Sequence, residues 1–159
     1  MPEGASSSQV VSWIKSAIYQ SPEQSLKNVI INCNGAPGIL AVGGVKSPFL
    51  TIKDIGLFGQ LATLEIGTIW IVACNIAKGD IGKEFCSRLA RTIHCDVIGA
   101  DEYQVVEASF YKAGCPFGAI HNYEGIATRF SPSGRSEVYS ACTSLMLYNP
   151  STSGDRCYF

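Results

Sequence analysis

Thr68-Ile69-Trp70-Ile71-Val72-Ala73-Cys74-Asn75 is the most apolar run of the chain, and it ends abruptly on a thiol and a carboxamide. A run this short, free of charge and rich in β-branched and aromatic side chains, predicts a strand buried on both faces. Upstream, Asn28 to Cys33 carries Val29, Ile30 and Ile31 in a similar run, which also stops on polar residues, Asn34-Gly35. Downstream, Cys95 to Ala100 is a third strand candidate. Between the second and third, Ile81, Phe85, Leu89 and Ile93 recur every four residues, with Lys83, Glu84, Arg88 and Arg91 on the wet side. That spacing predicts an amphipathic helix, with Asp80 as its cap.

Working outward, Ser8 is placed to cap an N-terminal helix whose apolar face is Val10, Val11, Ile14, Ala17 and Ile18, ended by Ser21-Pro22. After the first strand, Gly35-Ala36-Pro37-Gly38 breaks the chain, and Ile39 to Val45 reads as a small extended excursion or hairpin. Thr51 and Asp54 have the form of a capping box with Asp in place of Glu. The helix they would open, through Ile55, Phe58 and Leu61, is weakened by Gly56 and Gly59. Helix and strand thus alternate from residue 8 to residue 100, the pattern of a mainly parallel sheet with helices on its faces. The last third differs: Glu124 to Ser131, Pro132-Ser133-Gly134 and Arg135 to Cys142 predict a C-terminal β-hairpin.

Composition narrows the function classes. A chain of 159 residues fits one domain with a core of its own, residues 1–159. Its 47% hydrophobic and 16% charged residues argue against disorder. A net charge of -1 without basic runs gives no footprint for nucleic acid. The apolar runs are strand-sized, too short for a membrane span, and the polar start carrying Glu3 lacks a signal peptide's basic and apolar blocks. The expected location is the cytoplasm, with signal-independent export left open. Seven cysteines, none in a CxxC pair, make neither a zinc knuckle nor an even disulfide framework. They read as reduced thiols, most of them packing. The Gly35 to Gly44 segment matches no phosphate-binding loop and lacks its lysine, so no cofactor or metal is expected.

Parallel strands open their C-terminal ends on one edge, where such folds build their sites. Cys74 is the nucleophile candidate there, and the helix N-terminus downstream of it would favour its thiolate. The backbone N–H groups of Cys74 and Gly35 are candidates to face an oxyanion. His94 reads as a charge at a helix C-terminus. His121, in Gly118-Ala119-Ile120-His121-Asn122, is the histidine with a path to the site. Beside each of these stands a bland alternative: a space-filling cysteine, an Asn-Gly turn and a solvated loop histidine.

The order of these features resembles the caspase-like cysteine peptidases, the group of caspases, legumain, gingipains and their bacterial relatives. In that group one strand ends in His-Gly and the next parallel strand in Ala-Cys. Here Ile30-Ile31-Asn32-Cys33-Asn34-Gly35 stands where the His-Gly strand would be, and Ile69 to Cys74 matches the Ala-Cys strand. The Gly38 to Val45 excursion and Asn75 to Leu89, with Gly79-Asp80-x-Gly82 and Phe85, resemble the bacterial branch. The resemblance covers about residues 28–101. It implies a caspase-like three-layer α/β sandwich, Cys74 as nucleophile and Gly35 as oxyanion contributor.

One position departs from the pattern. Asn34 occupies the place of the histidine, and an amide takes up no proton near neutral pH. Three readings remain open: a degenerate site that binds a protein or peptide in the old cleft, a cysteine hydrolase with a non-standard base, or a small-ligand module.

Overall fold

The computed structural model describes residues 4–44, 48–104 and 123–139, together with the backbone of 156–158. Helix α1 spans Ser7–Gln20 and is succeeded by β1 (Ser25–Asn32), β2 (Asn34–Ala36) and β3 (Ile39–Ala41). A 3-10 helix, η1 (Ile55–Leu61), leads into β4 (Glu65–Val72), α2 (Gly79–Ile93) and β5 (Asp96–Ala100). Strands β6 (Ala127–Phe130), β7 (Ser136–Val138) and β8 (Arg156–Tyr158) complete the described elements.

Six strands form one sheet in the order β7-β6-β5-β4-β1-β8. The pairs β8–β1, β1–β4 and β4–β5 are parallel, and β5–β6 and β6–β7 are antiparallel. The chain is thus a mixed α/β fold with a mainly parallel sheet, and the predicted late hairpin is β6–β7. Strands β2 and β3 form a separate antiparallel hairpin, with Asn34 opposite Ala41.

Side-chain alternation divides the sheet. Val29, Ile31, Ile69, Ile71 and Val97 join one apolar cluster with Val10 and Ile14 of α1, Phe58 of η1, and Phe85 and Leu89 of α2. Ile30, Trp70, Val72, Ile98 and Ala100 face the other way, where Tyr123 and Tyr139 pack on them. Among the described residues, all three helices lie on the first face. The reason is topological: β1, β4 and β5 advance in one direction, and crossovers of one hand then return over the same face.

On the second face Trp70 is the anchor. Its indole N–H donates to Asn28 Oδ1 at 2.8 Å. Its ring stacks on Tyr123 at 6.5 Å and meets the edge of Tyr139 at 5.4 Å. Arg129 lies 5.3 Å above the Tyr139 ring and pairs with Asp96 and Glu137. The Tyr123 hydroxyl is buried with no hydrogen-bond partner among the described residues.

Several local expectations change. The cap of α1 is Ser6, two residues before the predicted Ser8, in a full capping box with Gln9. Ser8 already lies inside the helix. Thr51 and Asp54 do pair, Thr51 N–H and Oγ1 donating to Asp54 Oδ2 at 2.8 and 3.0 Å. The segment they open is only a 3-10 helix, because two glycines in seven residues leave little to propagate an α-helix. Lys78, not Asp80, is the N-cap of α2, and Asp80 sits in its first turn. Ile81 departs from the every-four pattern: at 71% exposure it lies outside the core that Phe85, Leu89 and Ile93 join.

Candidate functional site

The ends of β1 and β4 are fastened in register, Asn32 opposite Val72, and Cys33 N–H continues the ladder to Val72 O at 3.2 Å. One residue further, Asn34 and Cys74 leave their strands side by side. Both line one cavity of about 400 Å³, with Asn32, Cys33, Ala41, Val72, Ala73 and Gln104 among its other walls. The structure therefore brings together two of the predicted residues, the thiol of Cys74 and the amide of Asn34.

Gly35 passes directly behind them. A Cβ there would lie 2.8 Å from Ala73 Cβ, 3.1 Å from Cys74 O and 3.2 Å from Ile39 O. Only glycine lets the hairpin run this close to the cysteine strand, which gives Gly35 a steric reason beyond turn formation. The adjoining Asn75 is buried and held at φ +56. Its N–H donates to Glu102 O at 2.9 Å, and its side-chain oxygen accepts from Lys78 Nζ at 3.3 Å. The Asn75 N–H is therefore committed, whereas among the described residues the Cys74 N–H meets no backbone acceptor. His121 lies outside the described residues, and His94 is exposed at the left-handed C-cap of α2.

Three backbone bonds hold this edge rigid. Gly38 N–H reaches Ile76 O at 3.1 Å, tying the hairpin tip to the loop after Cys74. Ala77 N–H donates to Ala100 O at 3.0 Å, tying the same loop to the end of β5. Gly82 N–H donates to Lys78 O at 3.2 Å and starts α2. The helix begins at Gly79, five residues beyond the thiol, and the Cys74 sulfur bonds elsewhere. Its Sγ–H donates to the backbone carbonyl of Gln104 at 3.9 Å, a weak sulfur hydrogen bond. The predicted partner was a helix N–H; the partner found is a carbonyl. Gln104 was missed in the sequence, since a lone glutamine in a loop has no periodicity or spacing to mark it.

The second thiol of the cavity is chemically quiet. Burial pushes the Cys33 thiol from 9.0 up to about 12, against a lowering by its hydrogen bond with the Ala41 backbone. Burial also drives Cys86 and Cys95 to about 12, with the Asp96 charge adding to the rise at Cys95. A raised thiol keeps its proton in the folded chain while the unfolded chain loses it. The resulting stability is fully present below about pH 9 and drains away between about pH 9 and about pH 12. The melting temperature is accordingly expected to fall steeply above about pH 9, and Cys86→Ala to flatten that slope. An unchanged slope in Cys86→Ala would assign the alkaline loss to other groups.

Among the described residues no group of three or more His, Cys, Asp or Glu is placed to hold a metal ion, and no helix is long and apolar enough to cross a membrane. Comparison with family models, curated proteins and solved structures returned no match.

Proposed function

We propose that this chain is a caspase-like domain, a three-layer α/β sandwich in the finer description, whose site lacks its general base and binds a protein or peptide in the cleft between the ends of β1 and β4. The observation that carries the reading is the placement of Asn34 and Cys74 in one cavity, with Gly35 threaded behind the cysteine strand. That is the arrangement the resemblance calls for, with an amide substituted for the imidazole. A carboxamide offers donors and an acceptor without taking up a proton, so it suits holding a peptide group better than activating a thiol. The cavity volume, about 400 Å³, is at the small end of ligand pockets and fits a short stretch of chain.

The test restores the base. Asn34→His is expected to raise the labelling of Cys74 by a peptidyl acyloxymethyl ketone about a hundredfold, the usual scale of general-base assistance. In that reaction the sulfur displaces the carboxylate and forms a thioether, and Cys74→Ala in the same background abolishes it. No rise in Asn34→His would sink the proposed geometry. Wild-type labelling as fast as that of Asn34→His would instead show an active site with a non-standard base.

A further inference from the structure

We propose that the second face of the sheet carries a binding site for a small zwitterion of the α-amino acid type, at the opposite end of the strands from Cys74. A cavity of about 440 Å³ opens there, lined by Asp96, Arg129, Ser131, Arg135, Ser136 and Glu137. The register explains why these charges meet. Arg129 of β6 stands opposite Ile98 of β5 and Glu137 of β7. Ile98 belongs to the second face, so Arg129 and Glu137 share it, and so does Asp96, two residues before Ile98. Asp96 begins β5, which runs parallel to β4, whereas the Cys74 cavity lies past the C-terminal ends of β1 and β4. The two sites are therefore separate, and the proposal does not depend on the reading of the cleft.

Arg129 is a cation between two anions and closes tightly on neither. Its Nε lies 3.6 Å from Asp96 Oδ2 and its Nη1 lies 3.4 Å from Glu137 Oε1. A tight charge-assisted bond would be about 2.7–2.9 Å. Nε is buried and makes no hydrogen bond. The Tyr139 ring, 5.3 Å from the guanidinium carbon, holds the group over the face. Arg135 brings a second guanidinium from the hairpin turn. That turn fixes its backbone: Ser131 N–H donates to Arg135 O at 2.8 Å, and Arg135 N–H donates to Ser131 Oγ at 3.2 Å.

Two positive and two negative side chains leave the walls without net charge. A bare anion drawn by the arginines is repelled by Asp96 and Glu137, and a bare cation meets the reverse. A molecule that carries both signs on neighbouring atoms is attracted by all four. Its carboxylate suits the planar guanidinium groups of Arg129 and Arg135, and its ammonium suits Asp96 and Glu137. The volume suits one amino acid or a dipeptide.

The test follows backbone amides by NMR while isotope-labelled protein is titrated with L-glutamine and glycyl-L-glutamine. N-acetyl-L-glutamine and L-glutaminamide, which keep one charge each, are the comparison. L-Glutamine is expected to shift the amides of Ser131, Arg135 and Glu137 and to leave those of Asn34 and Cys74 in place. Each capped form is expected to bind about tenfold more weakly, the scale of one lost charged hydrogen bond. Glu137→Gln is expected to weaken L-glutamine about tenfold and to spare N-acetyl-L-glutamine, which has no ammonium. Arg135→Gln is expected to weaken L-glutamine likewise and to spare L-glutaminamide, which has no carboxylate. Both side chains are exposed, so neither variant disturbs the core. Tighter binding of L-glutamine supports a site for free amino acids, and tighter binding of glycyl-L-glutamine one for dipeptides. Equal binding of L-glutamine and either capped form, or displacement of L-glutamine by equimolar inorganic phosphate, overturns the proposal. So does the absence of shifts at Ser131, Arg135 and Glu137 with both zwitterions at about 10 mM, above the millimolar limit of weak binding.

Discussion

Gly82→Ala is expected to lower stability by about 2–3 kcal/mol, although alanine is the better helix former by about 1 kcal/mol. A Cβ at this position would lie 2.5 Å from Ile76 O, 2.6 Å from the Ala77 carbonyl carbon and 3.0 Å from Ala77 Cα. All three are backbone atoms, so no rotamer change relieves the clash. Either α2 lifts from the loop after Cys74 or that loop shifts, and the loop is held by Gly38 N–H on Ile76 O and by Ala77 N–H on Ala100 O. Losing those bonds adds about 0.5–1.5 kcal/mol each to the overpacking. Urea unfolding reads the difference as a lower midpoint at constant slope. Gly56→Ala is the matched control, since nothing lies within 4 Å of a Cβ there. A Gly82→Ala midpoint equal to the wild type would mean that α2 does not press on the loop.

Trp70→Ala is expected to cost about 3–5 kcal/mol, the range for removing a large buried aromatic side chain. Trp70 is 8% exposed and is the residue that Tyr123 and Tyr139 both pack against. Truncation leaves those rings without a floor and Asn28 Oδ1 without its indole donor. Trp70→Phe separates the two losses. It keeps most of the packing and removes the hydrogen bond, so its cost is expected near 1 kcal/mol. The thermal midpoints of the two variants give the comparison. A loss under about 1 kcal/mol in Trp70→Ala would show that the second face of the sheet is not a packed core.

Much of the strand pattern was legible because burial on both faces leaves a simple mark, a run of apolar residues with no alternation. Val29 to Ile31 and Ile69 to Val72 show it, and both lie in central parallel strands. Strand starts were less legible: β1 and β4 begin at Ser25 and Glu65, several residues before the apolar runs. Those residues pair with each other along the ladder, and backbone pairing leaves no side-chain pattern. Ile81 misled because periodicity reports spacing and not the distance to a neighbour. In the first turn of α2 Ile81 lies beside the hairpin glycine Gly38, its Cγ2 3.0 Å from a Cβ built there, and stays largely exposed.

The juxtaposition of Asn34 with Cys74 came from two strand ends opening on one edge. The role of Gln104 in the cavity wall was not legible, since its side-chain bonds run to backbone groups of residues 102 and 124, which no side-chain pattern announces.

The order of the central strands bears on how the molecule is made. β1, β4 and β5 stand next to one another in the sequence in which they are synthesised. Each strand that emerges finds its partner already laid down, and the next helix closes over a face that is already there. Each parallel pairing nevertheless closes over a whole crossover segment, which makes such sheets slower to assemble than a run of hairpins. The cavity walls contributed by residues 32–41 and 72–74 thus precede the wall at Gln104 in the order of synthesis, and the site is completed by its last-made segment.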